Sequence, residues 1–136
     1  RGAAAELFKP GNHGSTFGGN PLACTAALTT LQAIEDEGLR ENASRIGQFI
    51  VDSLKHAFTG VAGVTQVRGH GLMIGIELDR PCTDLVKQAL TQGFIINVTS
   101  DKVIRLVPPL IINEQEASAL VAGVAVLVKE FLAQAA

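Results

Sequence analysis

The chain has 136 residues, 47% of them hydrophobic and 18% charged, with a formal net charge of −2. One domain's length with this much apolar material can bury a substantial core. The composition excludes a disordered polyelectrolyte and gives no electrostatic reason to expect a nucleic-acid partner.

Residues 1–20 are polar and Gly-rich, with Lys9-Pro10-Gly11 as a breaker cluster, and are expected to form a loop. The chain opens on Arg1 rather than Met, and these residues have the character of mid-protein loop, so a piece of a longer protein is expected. Within them, His13-Gly-Ser-Thr-Phe-Gly-Gly-Asn-Pro-Leu22 sets two hydroxyls, Ser15 and Thr16, between glycines and directly before a helix start. Glycine lets a backbone approach a ligand closely, and hydroxyls donate to phosphate oxygens. Two readings therefore fit the cluster: a capped turn, the commoner origin of such residues, and a phosphate contact.

Asn20 is a good N-cap and Pro21 suits the first helical position. Leu22, Ala26, Ala27, Leu31 and Ile34 then recur at helical spacing until Gly38. A second helix follows, its buried stripe being Leu39, Ala43, Ile46, Ile50, Leu54 and Phe58. After Gly60 the period changes. Residues 61–67 are expected as a strand and Arg68-Gly69-His70-Gly71 as a tight connection. Residues 72–78 form a half-buried strand whose apolar members alternate. Residues 83–90 predict a short helix capped by Thr83 and stopped near Gly93. Residues 94–98 and 103–107 predict a hairpin around a polar turn. Asn113 and Glu116 form a capping-box pattern, opening a last helix with Ala117, Leu120, Val124, Val128 and Phe131 on its buried stripe. The expected class is α+β, two layers, with helices over one face of a small, largely antiparallel sheet.

Cys24 and Cys82 lie far apart without metal-ligand spacing. Both are expected as small buried or half-buried side chains of a cytoplasmic protein, with no metal site. His13, His56 and His70 share no spacing and are expected at the surface. The longest apolar run, residues 117–128, is too short for a bilayer, which needs roughly 20 residues, so no membrane partner is expected. Arg105 lies on a strand between Ile104 and Leu106, ended by Pro108-Pro109. An arginine in so apolar a stretch needs a partner if buried, and its planar fork suits a carboxylate. A ligand carboxylate, a pairing with Glu77 and a side chain snorkelling to the surface all remain open from the residues.

Three strings in order, His13-Gly-Ser-Thr-Phe-Gly-Gly-Asn-Pro-Leu-Ala23, Arg68-Gly-His-Gly-Leu-Met-Ile-Gly-Ile-Glu-Leu78 and Val103-Ile-Arg-Leu-Val-Pro-Pro-Leu-Ile-Ile112, resemble the C-terminal third of class III aminotransferases, most of all the acetylornithine branch. The resemblance implies the cofactor pyridoxal 5′-phosphate and a fold-type I homodimer acting on small amino and keto acids in arginine biosynthesis. It assigns residues 1–20 to the end of a large domain and residues 21–136 to the small domain. It gives Thr16, with Ser15 beside it, to the cofactor phosphate of the neighbouring subunit. It gives Arg105 to the substrate carboxylate, or to a glutamate when that substrate is absent. Phe17 packs the underside of the loop or stands near the cofactor. Arg68, Gly69 and Gly71 are expected to serve turn geometry and close packing.

The chemistry of this family needs a lysine that carries the cofactor and an acidic partner for the ring nitrogen. Lys9, Lys55, Lys87, Lys102 and Lys129 all fall in loops, turns or on predicted helix surfaces. The resemblance places the Schiff-base lysine, the aspartate and the stacking aromatic upstream, so the chain alone is expected to be inert. Two other classes remain as alternatives, a regulatory module binding small molecules and a dimerisation scaffold, as do ornithine, succinylornithine and 4-aminobutyrate aminotransferases.

Overall fold

Helix α1 (Pro21–Asp36) starts on the expected residues: the Asn20 side-chain oxygen accepts from the Ala23 N–H at 3.0 Å, and Pro21 occupies the first turn. The computed structural model describes residues 2–12 and 14–134, in two units, Arg1–Glu37 and Gly38–Ala136.

The first unit is less purely loop than expected. Its Ala-rich start winds into a 3-10 helix, Gly2–Leu7, because Ala3 to Leu7 are good helix formers and the breaker cluster comes only afterwards. A tight turn from Ser15 to Gly18 follows, closed by the Gly18 N–H on the Ser15 carbonyl at 3.3 Å. No described residue of this unit is buried, and Leu22, Leu28 and Leu31 on α1 are exposed within this chain. Cys24 is exposed as well, contrary to expectation, because α1 turns it toward no core of this unit.

In the second unit, Gly38 takes a left-handed φ of +61° and opens helix α2 (Leu39–Ala57). Ile46, Ile50 and Leu54 on α2 are fully buried, as the stripe predicted. Each contributes about 1.5–3 kcal/mol of apolar burial. Strands β1 (Val64–His70), β2 (Met73–Leu78), β3 (Asn97–Thr99) and β4 (Val103–Leu106) form one antiparallel sheet in the order β1-β2-β4-β3. Helix α3 (Leu85–Thr91) joins the two hairpins and α4 (Glu114–Gln134) closes the unit. One sheet face, carrying Ile74, Ile76, Leu78, Ile104 and Leu106, is buried with α2 and α4 in the core. The opposite face carries Arg68, Met73, Glu77, Val103 and Arg105.

Several boundaries move. β1 begins at Val64 and continues through His70, so Arg68 and Gly69 lie in the strand rather than in the connection. The actual turn is Gly71-Leu72, with Gly71 at φ +53°, the glycine-first pattern of a type II′ hairpin. Gly69 faces the core, where a Cβ would lie 2.9 Å from a Val51 methyl, so close packing rather than turn geometry explains it. β3 covers only residues 97–99, because β4 pairs with no more of it, and β4 ends at Leu106 before the prolines. Helix α3 is capped at Asp84 with no side-chain cap bond, not at Thr83. The hydroxyl of Thr83 is unneeded there, since the Thr83 carbonyl takes the Val86 N–H in a tight first turn at 3.1 Å.

The α4 capping box is reciprocal: the Asn113 N–H donates to Glu116 Oε2, and the Glu116 N–H to Asn113 Oδ1, both at 2.9 Å. Its buried face is wider than the predicted stripe, adding Ala125, Leu127 and Leu132. Replacing the cap, Asn113→Ala, should destabilise the protein by about 1 kcal/mol. A fall in the urea midpoint at unchanged slope would register the loss, and an unmoved midpoint would mean the box contributes nothing.

Candidate functional site

The two groups of site residues singled out by the sequence fall in different units: Ser15 and Thr16 in the first, Arg105 in the second. His13, which opens the first motif, lies outside the described residues. Both Ser15 and Thr16 are exposed, and neither hydroxyl has a hydrogen-bond partner among the described residues. Gly14 and Gly19 flank them with open space where a Cβ would stand, and Gly19 has a φ of +76°. Two free hydroxyl donors in a glycine loop ahead of a helix fit a phosphate monoester. Phe17 is 81% exposed, so it does not fill the underside of the loop.

Arg105 stands on the open face of β4, sharing it with Val103, while Ile104 and Leu106 point into the core. Strand alternation thus resolves how a charge sits in an apolar stretch: it faces solvent and needs no buried partner. Among the described residues its guanidinium has neither a hydrogen bond nor an ion pair. It lines a shallow depression of about 390 Å³ with Arg68, Met73, Gly75, Thr99 and Val103. The loop after β4 is tied to α2 by Asn42, whose amide donates to the Leu110 and Ile112 carbonyls at 2.8 and 3.0 Å. Sequence reasoning raised no role for Asn42, since its partners lie about seventy residues away.

The expected alternative partner of Arg105, Glu77, is taken. Arg68 Nη1 donates to Glu77 Oε2 at 2.8 Å and Lys102 Nζ reaches Oε1 at 3.2 Å. The hydrogen bond from Arg68, then that from Lys102, hold the Glu77 carboxyl below its ordinary pKa. Glu77 therefore takes up its proton at a lower pH than an unpaired glutamate does. Arg68 thus belongs to an ion cluster on the open face, not to a turn. Lys9, Lys55, Lys87, Lys102 and Lys129 are all exposed. His56 and His70 are exposed as expected, and burial pushes the Cys82 thiol up. No helix among the described residues is long and apolar enough to cross a membrane.

Residues 1–127 match the profile of the family described as Aminotransferase class-III. The chain belongs to the class III aminotransferases. That family depends on pyridoxal 5′-phosphate, and the free hydroxyls of Ser15 and Thr16 are chemically suited to its phosphate. The chain is 52% identical over 133 residues to acetylornithine aminotransferase 1 of Bordetella parapertussis, covering 98% of this chain and 34% of the relative. It is 53% identical over 131 residues to acetylornithine aminotransferase of Nitrosomonas europaea, covering 96% and 33%. Among solved structures, Plasmodium falciparum ornithine delta-aminotransferase superposes with a TM-score of 0.85 at 34% identity, over 93% of this chain and 34% of that one. Acetylornithine aminotransferase from Elizabethkingia anophelis gives 0.80 at 34% identity, with 93% and 34% coverage. The chain therefore spans about a third of the length of the relatives it matches.

Proposed function

We propose that the intact protein moves an amino group between N-acetylornithine, or a related ω-amino donor, and 2-oxoglutarate, as a cytoplasmic homodimer in arginine biosynthesis. Residues 1–20 belong to the end of its large domain and residues 21–136 to its small domain. The observation that carries the reading is the unpaired, solvent-facing guanidinium of Arg105 above an open apolar depression. A planar fork free of protein partners can hold a substrate carboxylate bidentately and fix the acid's orientation. Thr16, with Ser15 beside it, donates to the cofactor phosphate of the neighbouring subunit. When bound, the cofactor supplies the electron sink that transamination requires. The acetylornithine branch is preferred because the curated relatives at 52% and 53% identity carry that name.

Incubating the intact protein with the cofactor, N-acetylornithine and 2-oxoglutarate should release glutamate. Ornithine or 4-aminobutyrate being preferred as donor would move the protein to another branch, and no turnover with any ω-amino donor would defeat the proposal. The 136-residue chain alone should turn over nothing, because none of its lysines is placed to carry the cofactor. Thr16→Ala in the intact protein should weaken cofactor retention by about 1.5–3 kcal/mol, the worth of a hydrogen bond to a charged group. Spectrophotometric titration of the apoenzyme measures this, and unchanged affinity would take Thr16 out of the site.

A further inference from the structure

The open sheet face offers one carboxylate to two arginines. In register, Arg68 on β1, Gly75 on β2, Arg105 on β4 and Asn97 on β3 stand in a single row across the sheet. Gly75 leaves the middle of that row without a side chain. Glu77, two residues further along β2, is therefore diagonal to both arginines on the same face. Diagonal neighbours lie about 7–8 Å apart, within the reach of a long side chain. By register, Arg68 and Arg105 are both diagonal neighbours of Glu77.

The contacts break the tie. Arg68 lies alongside Gly75, where a Cβ would come 3.9 Å from its Cγ. The same Nη1 that meets Glu77 is also held by Gln66 Oε1 at 2.6 Å. Lys102, from the turn between β3 and β4, occupies the other carboxylate oxygen. Both oxygens of Glu77 are thus engaged, one by Arg68 from β1 and the other by Lys102 at the entry to β4.

We propose that Arg68 and Lys102 act as positioning residues: by holding both oxygens of Glu77 they keep the nearest carboxylate of the sheet off Arg105, which leaves that guanidinium open to a substrate carboxylate. This role rests on the assignment of Arg105 as the carboxylate site. Removing the two cations frees Glu77 to swing one diagonal step and compete as an intramolecular carboxylate. A ligand would then have to displace it.

The test is made in the intact enzyme with the double variant Arg68→Met/Lys102→Met. KM for the carboxylate substrate should rise roughly three- to fivefold with kcat nearly unchanged, the size of competition from an exposed ion pair. Adding Glu77→Gln should return KM to near the wild-type value, whereas a merely structural defect would not be rescued by a third substitution. Long-range loss of positive charge would also raise KM, but without bringing Glu77 to Arg105, which the structure of the double variant reads. A crystal structure of the double variant should show Glu77 within ion-pair distance of Arg105. Glu77 remaining turned away from Arg105, or a raised KM that Glu77→Gln leaves in place, overturns the proposal. The structural readout holds even if Arg105 binds no substrate. Failure of the functional assignment would appear separately, as an unchanged KM in Arg105→Ala.

Discussion

Arg105→Ala in the intact enzyme should lower kcat/KM for its carboxylate substrate by roughly thirtyfold or more, because truncating one partner of a hydrogen-bonded charge pair costs about 2–5 kcal/mol. Most of the loss should fall on KM, since the carboxylate is held before and during the reaction alike. Arg105→Lys keeps the charge and loses the fork, so it should recover only part of the activity. Stability should move in neither variant by more than about 0.5 kcal/mol, the usual range for a surface position away from special features. That separation is what the geometry demands: the guanidinium faces solvent and touches no protein partner among the described residues. Steady-state kinetics beside thermal unfolding would read both quantities. A variant that melted early while retaining KM would make Arg105 a structural residue.

The largest expected effect on folding belongs to Gly47, on the buried face of α2. A Cβ there would lie 2.0 Å from the carbonyl oxygen of Gly71 and 2.4 Å from its carbon, in the turn between β1 and β2. Two effects oppose each other in Gly47→Ala. Helix propensity favours alanine by about 1 kcal/mol. The overlap, however, is with backbone in a two-residue turn pinned on both sides by strand pairing, which cannot give way as a side-chain tip could. Overpacking of this kind costs about 1–3 kcal/mol and sometimes more, so a net destabilisation of about 2 kcal/mol is expected, read as a fall in denaturation midpoint. A stabilised Gly47→Ala would show that close approach of helix and turn is not what selects glycine at position 47.

Legibility along the chain followed the range of the interactions. Asn20 with Pro21, the α4 capping box, the α2 stripe and the alternation of β2 could all be read correctly, because each is decided by residues within about one or two helical turns or by a strict period of two. Ser15 and Thr16 stood out by the same token, as hydroxyls among glycines. What went astray was settled by partners distant in sequence. β1 began late and ran on through Arg68 because Met73, Ile74 and Gly75 were there to pair with His70, Gly69 and Arg68. β3 shrank to three residues because β4 offered only three partners.

Arg105 shows the division most sharply. Its chemistry, a fork-shaped donor set on a strand, was plain from the residues; its freedom was not. Glu77 was a fair candidate partner, and the register sets both Arg68 and Arg105 diagonal to it. Arg68, braced by Gln66, and Lys102 then took its two oxygens. Residue type and local spacing specify what a side chain can do, since rotamers and hydrogen-bonding groups travel with it. Which of two equivalent partners it meets depends on strand order and alignment, and those are set by how the buried faces of four strands and their covering helices fit together.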